Sequence, residues 1–186
     1  MRAFVAVPLP LALVPAYADL QGALRLPGRV RWVEPASLHL TLRFLGSVPA
    51  ADVPALAEAL SRAASSSSPA TLVGVRLDAF PSPRAPRVIV VELEDAAAAL
   101  PRLHVEIERE LTELGFPAQG RDFRMHVTLG RLAGDKMDVR AALAGAAPPA
   151  AVWPVDGFEL VRSDLGQGPP RYTTLARFAL GSAGRG

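Results

Sequence analysis

Two short segments of this 186-residue chain carry residues that can do chemistry. His39-Leu40-Thr41-Leu42 lies within SLHLTLRFLG, and His126-Val127-Thr128-Leu129 lies within FRMHVTLGRL. Aligned on their histidines, 87 residues apart, they share His, Thr at +2, Leu at +3 and Leu at +6 (Leu45 and Leu132). With only three histidines and six threonines in the whole chain, this agreement marks an internal repeat. In an extended strand, residues i and i+2 point to one face. Each segment therefore projects an imidazole and a hydroxyl together and turns Leu40, Leu42, Val127 and Leu129 to the opposite, core face. Two such strands related by a pseudo-twofold oppose two imidazoles across one cleft. That arrangement suits displacement at phosphorus. One histidine takes a proton from the nucleophile, the other protonates the leaving oxygen, and the hydroxyls hold the non-bridging oxygens. A metal site is the competing use of two histidines. A catalytic zinc asks for three protein ligands, however, the chain has no cysteine, and neither segment carries a carboxylate beside its histidine. An ordinary pair of sheet residues would explain one copy better than it explains two matched ones.

The elements that must position these residues alternate along the chain. Strand-like runs are Ala3–Val7, Val30–Val33, Leu38–Leu45, Thr71–Phe80, Arg87–Leu93, His126–Leu132, Val155–Arg162 and Tyr172–Leu180. Helical periodicity covers Leu11–Leu24, Asp52–Ala64, Ala96–Leu114 and Lys136–Ala144. The third helix is the clearest. Leu100, Leu103, Ile107, Leu111 and Leu114 form one stripe, and Gly115 stands at its C-terminal stop. Ser82–Pro86 reads as a wide hairpin loop, Ser65–Ser68 as a link too short to separate domains, and Gly181–Gly186 as a frayed tail. Strands and helices mixed at these link lengths favour an α+β fold over a doubly wound parallel sheet, with residues 1–186 forming one two-lobed domain.

Composition limits the alternatives. Half of the residues are apolar and a fifth charged, the balance of a globular chain. The absence of cysteine excludes a disulfide scaffold and a thiol nucleophile. The formal charge is +2, and the basic set is 19 arginines with the single Lys136. A chain without asparagine, with two isoleucines and rich in Ala, Gly and Pro reflects a GC-rich codon choice, so the arginine surplus is mostly bias. The start resembles a secretory leader with a small-residue site at Ala16-Tyr17-Ala18. Its prolines suit a strand-to-helix corner better, and the spacing Leu13, Tyr17, Leu20, Leu24 runs through that site. No apolar stretch reaches the ~20 residues of a membrane span. The expected location is the cytoplasm.

The paired motifs resemble those of the two-histidine phosphoesterase superfamily. More narrowly, the chain is similar to the RNA 2′,3′-cyclic phosphodiesterases first named 2′-5′ RNA ligases. The likeness extends over RAFVAVPLP, LHLTLRFLG, AFPSPRAPRVIVVEL, HVTLGR and FELVRSDLGQGPPRYTTLARFAL. It implies a bilobal pseudo-twofold α+β duplication, with two antiparallel sheets facing a central cleft and helices packed outside. It also implies hydrolysis of an RNA 2′,3′-cyclic phosphate end, or of a small cyclic nucleotide, to a 2′-phosphomonoester, with no metal and no cofactor. By the resemblance, His126 is the proton acceptor that activates water and His39 the proton donor to the departing O3′. Thr41 and Thr128 bind the phosphate. Arg131 adds a phosphate contact, although strict alternation puts it on the face opposite His126 unless the strand ends or twists. Met125 departs from the family, which usually has proline there; this bears on how the strand begins and not on the reaction. The alternatives are reversible 2′-5′ ligation, or an RNA-end-binding module without turnover. A monomer with no protein partner is expected.

Other residues carry weaker expectations. Regular alternation puts Arg43 on the cleft face, as a substrate contact or a solvated rim arginine, and turns Phe44 to the core. His104 reads as a boundary residue of the helix stripe, Tyr172, at a tyrosine position of the resembled family, as a packed strand residue with a surface hydroxyl ahead of a substrate contact, and Trp32 and Trp153 as core or rim.

Overall fold

The computed structural model describes residues 1–181 apart from 27–28, 121, 134–137, 165 and 167–169. The elements in chain order are β1 (Arg2–Pro8), α1 (Val14–Ala23), β2 (Arg29–Trp32), β3 (His39–Ser47), α2 (Val53–Ser65), β4 (Ala70–Phe80), β5 (Val88–Glu94), α3 (Ala99–Glu113), β6 (His126–Ala133), α4 (Arg140–Ala144), β7 (Val152–Val155), β8 (Gly157–Asp164) and β9 (Arg171–Ala179). The run expected over Val155–Arg162 is two strands, β7 and β8. Within the described part of the last expected helix, 138–144, the helix is Arg140–Ala144; residues 136–137, including its expected start Lys136, lie outside the described residues, as does the tail 182–186. Trp153 is in the core, and Trp32 is half-buried against it.

The strands pair antiparallel throughout, in the order β7-β4-β5-β6-β3-β1-β8-β9, with β2 also on β6. Shifting by the 87 residues that separate the motifs carries β1 onto β5, α1 onto α3, β3 onto β6, α2 onto the start of α4, and β4 onto β8. One lobe is β3-β1-β8-β9 and the other β6-β5-β4-β7, the same order with the third strand exchanged between repeats. The two lobes meet at the pair Leu40↔Val127, which are equivalent residues of the two repeats. The pseudo-twofold axis therefore passes between them.

Burial follows from the pattern. Leu40, Leu42, Val127 and Leu129 are at most 2% exposed and join one core with Leu60, Ile89, Leu100, Leu103, Ile107 and Leu111. Each such leucine or isoleucine contributes roughly 1.5–3 kcal/mol on burial. Leu114, the last of the expected stripe, is 39% exposed, because α3 stops at Glu113 and Gly115 turns the chain at φ +88°, a left-handed conformation that favours glycine. Asp95 accepts the N–H groups of Ala97 (3.1 Å) and Leu100 (2.8 Å) at the start of α3. Most of the buried residues of α1, α2 and α3 join this core on one face of the sheet. Among the described residues the other face carries a small buried apolar cluster, Phe4, Ala6 and Val161, and the two histidines lie on that face.

Candidate active site

β3 begins at His39 and β6 at His126, so both imidazoles stand at the start of the strands that meet on the pseudo-axis. The two rings are held alike. His39 Nδ1 donates to the carbonyl of Ser37 (2.8 Å) and His126 Nδ1 to that of Arg124 (2.7 Å), in each case two residues back. A carbonyl only accepts, so each Nδ1 carries the hydrogen and each neutral ring keeps Nε2 as a proton acceptor. Met125, in place of the family's proline, does not disturb this start: its carbonyl accepts the Leu93 N–H at 2.9 Å. Thr41 and Thr128 share the cleft face with their histidines and are half-buried, as are both histidines.

Both histidines have their pKa pushed below the usual value. For His39 the largest cause is burial; the Ser37 hydrogen bond opposes it, and the charges of His126 and Arg131 add to it. For His126 burial again leads; its bond to Arg124 opposes, the Arg124 charge adds, and the Glu92 carboxylate opposes.

A bulge in each motif strand decides what lies beyond the threonines. Thr41 pairs with Ala6 but Arg43 pairs with Val5, so Leu42 is an extra residue in β3. Thr128 pairs with Val90 but Gly130 pairs with Ile89, so Leu129 is an extra residue in β6. The bulges fall at the same repeat position and reset alternation in both strands. Arg131, which strict alternation would have turned away, rejoins the cleft face, and its charge is felt by His39 and Tyr172. The same bulge overturns the expectation for Arg43. It is 3% exposed on the core face, with Nε 3.2 Å from a Glu108 carboxylate oxygen, a charge contact without hydrogen-bond alignment. It also donates to the carbonyl of Pro117. It cannot reach a ligand in the cleft. Phe44, expected in the core, is instead 58% exposed on the cleft face, opposite Phe4 and at the repeat position of Arg131.

Each bulge is pinned by a polar side chain from a helix. Gln21 of α1 donates its amide to Leu129 O (2.9 Å) and Val33 O (2.8 Å). His104 of α3 donates Nδ1 to Leu42 O (3.1 Å) while stacking on Phe123. The helix of each repeat thus satisfies the bulged carbonyl of the other. His104 is a boundary residue of the helix stripe, as expected, and the structure adds its bond to the bulge.

The surroundings of the two catalytic candidates differ. His39 stacks on Phe4 (4.9 Å) and meets Tyr172 edge-on (5.5 Å), so Tyr172 belongs to the cleft and not only to strand packing. His126 meets Phe80 edge-on (5.2 Å), lies beside Glu92 in register, and has Arg124 two residues before it. Arg124 sits 4.2 Å over the Phe80 ring and pairs with Glu92 and, at 3.5 Å, with Asp78. Sequence periodicity could place none of Phe4, Phe80, Glu92 or Arg124 in the site, since their proximity comes from cross-strand register. The hollow between α4 and β4, lined by Val75, Leu77, Leu143 and Pro148, contains neither motif. Among the described residues no three His, Cys, Asp or Glu side chains come together as a metal site. Two acceptor nitrogens, two hydroxyls and one arginine around one cleft can move a proton on and off either side of a bound tetrahedral anion.

Comparison with known proteins gives one answer. The family model described as LigT like Phosphoesterase matches residues 7–90 and again 91–172, one match per repeat. A Thermus thermophilus protein named RNA 2′,3′-cyclic phosphodiesterase is 35% identical, over all of this chain and 93% of its own length. One from Geobacillus stearothermophilus with the same name is 32% identical over 95% of this chain, which spans only 56% of that relative's length. Among solved structures, TT0787 of Thermus thermophilus superposes with a TM-score of 0.83 at 31% identity, covering 99% of this chain and all of that one. Escherichia coli LigT complexed with 3′-AMP gives 0.78 at 27% identity, covering 96% and 97%.

Proposed function

We propose that this chain, which belongs to the LigT-like phosphoesterase family, hydrolyses RNA ends bearing a 2′,3′-cyclic phosphate to 2′-phosphomonoesters without a metal ion. The observation that carries the reading is the pair of His-x-Thr strands meeting at Leu40↔Val127, each with Nδ1 tied back and Nε2 left for the cleft. The names of its relatives, and the 3′-AMP bound by LigT, support a terminal ribonucleotide as the substrate.

In this reading the phosphorus lies between the two imidazoles. His126 takes a proton from water, the oxygen attacks in line, and His39 protonates O3′ as the P–O3′ bond breaks. Thr41, Thr128 and Arg131 hold the non-bridging oxygens as charge builds on them. Burial above all, and then the charges of His126 and Arg131, lower the pKa of His39 in the free protein. A bound phosphate anion cancels the Arg131 charge and lets His39 carry the proton it must donate. The aromatic faces of Phe44 and Tyr172 beside His39 offer a surface on which the terminal base stacks.

The test is product analysis on a cyclic-phosphate-ended oligoribonucleotide, with and without EDTA. Undiminished release of a 2′-phosphate in EDTA supports the reading. A 3′-phosphate reverses the acid and base, and loss of activity that zinc restores overturns the metal-free step.

A further inference from the structure

β2 and β3 lie along the same edge of β6, and β2 extends the cleft floor outward from the catalytic pair. Its register sets Arg31 directly opposite Arg131. A Cβ placed on Gly130 would touch Trp32 and Val30, so those two side chains occupy the core side of β2. Arg31, between them in sequence, is exposed on the other side, with Arg131. Directly opposed side chains of an antiparallel pair stand about 4.5–5.5 Å apart at Cβ, where like charges repel. Neither arginine takes part in an ion pair found among the described residues, so no carboxylate there offsets their mutual repulsion. Two opposed arginines at the rim of a phosphate site are best matched by a ligand with more than one anionic group. Arg131 is the inner of the two, since it lies on the motif strand β6 itself and Arg31 lies one strand outward on β2.

We propose that Arg31 binds the phosphodiester on the 5′ side of the terminal nucleotide, making this a site for the end of an RNA strand in preference to a cyclic mononucleotide. The inference rests on the phosphodiesterase reading above and adds the direction of the strand. Near His39 the exposed Phe44 and Tyr172 both lie against Phe4, and β3 has lost Arg43 to the core, so that side receives the base. Past its bulge β6 carries Arg131, and β2 sets Arg31 outside it, so the sugar-phosphate backbone leaves along β2.

The test compares kcat/KM for adenosine 2′,3′-cyclic monophosphate and for ApA ending in a 2′,3′-cyclic phosphate, in wild type, Arg31→Ala and Arg31→Lys. Arg31 is exposed, so neither change should disturb folding. In Arg31→Ala the ratio of dinucleotide to mononucleotide kcat/KM falls about five- to tenfold, with partial recovery in Arg31→Lys, which keeps the charge but not the fork. For the dinucleotide, the slope of log kcat/KM against log salt becomes shallower by about 0.7, one phosphate contact on a single strand. An unchanged ratio in Arg31→Ala overturns the proposal, and so does an equal fall on both substrates, which would mean that Arg31 serves the scissile phosphate itself. If wild type turns over neither substrate, the phosphodiesterase reading fails first.

Discussion

The two lobes carry the same motif, the same bulge and the same Nδ1 tether, yet they surround their histidines differently. His39 is packed among Phe4 and Tyr172, with an exposed Phe44 five residues on. His126 stands beside Glu92 and Phe80, with Arg131 five residues on. Duplication supplied the symmetric part, which a reaction with an acid on one side and a base on the other can use twice. The asymmetric part is what a substrate with a base at one end and a phosphate chain at the other requires. The lesson is that the invariant geometry lives in backbone register, and the division of labour lives in the side chains that the register exposes.

The largest expected effects test the symmetric part. His39→Ala and His126→Ala should each lower kcat by roughly 10²–10⁴, and the double variant should be little worse than either, because acid and base act as a unit. A single variant that keeps near-normal kcat would show that one lobe alone carries the chemistry. Thr41→Val and Thr128→Val should each cost about 10² in kcat through lost oxyanion donors. Steady-state rates on a cyclic-phosphate dinucleotide check both pairs.

The next effects test the asymmetric part. Phe44→Ala should raise KM about tenfold for a substrate with a base and leave a base-free cyclic phosphate untouched, since stacking on one base is worth about 1–3 kcal/mol. Arg131→Ala should instead raise KM for both. If the two variants respond alike to removal of the base, the lobes do not divide base from phosphate.

A smaller change concerns the pins on the bulges. Gln21→Ala removes one of the two donors to Leu129 O, which keeps the Val33 N–H, together with the donor to Val33 O, and His104→Ala removes the side-chain donor to Leu42 O; each should lower unfolding free energy by about 1–3 kcal/mol in chemical denaturation. Loss of the Gln21 pin acts on the strand that carries Arg131, so it should raise KM more than loss of the His104 pin raises it. Equal effects would mean that the bulges hold without their helices.

The pH dependence is the mildest signature. All three histidines have folded pKa values below the ordinary value of about 6.5, in each case led by burial. A depressed histidine binds fewer protons folded than unfolded, so the stability it contributes is full above about pH 6.5 and is lost as pH falls. The melting temperature should therefore drop between pH 7 and pH 5, and less so in His104→Phe, which keeps a stacking partner for Phe123. In kcat/KM both limbs should lie below about 6.5, and Glu92→Gln should move the His126 limb slightly lower still, because the Glu92 carboxylate adds to the larger upward effect of the Arg124 carbonyl bond. A limb that rises in Glu92→Gln would remove Glu92 from the account of His126.

Much of this was legible before any coordinates. The His-x-Thr repeat is local: side chains two apart share a face of any strand, so His39 with Thr41 and His126 with Thr128 follow from spacing alone. The stripe of α3 and its glycine stop are equally local. Even the 87-residue offset between the motifs turned out to govern the whole order of elements. Where reading by alternation went wrong, at Arg43 and Phe44, it did so for one reason. A bulge adds a residue without leaving a mark in composition, and every side chain after it changes face.

The sequence by itself thus determined the reacting groups, their duplication and the core that carries them, because each depends on residues close along the chain. Only the tertiary structure decided which arginine enters the cleft and which is sealed beneath it, that Phe4, Tyr172, Glu92 and Arg124 attend the two histidines, and that Arg31 stands against Arg131. Those relations are cross-strand and cross-repeat. They are set by register across strands far apart in sequence and by helix side chains that pin a bulge in the opposite repeat, and neither has a period to be read.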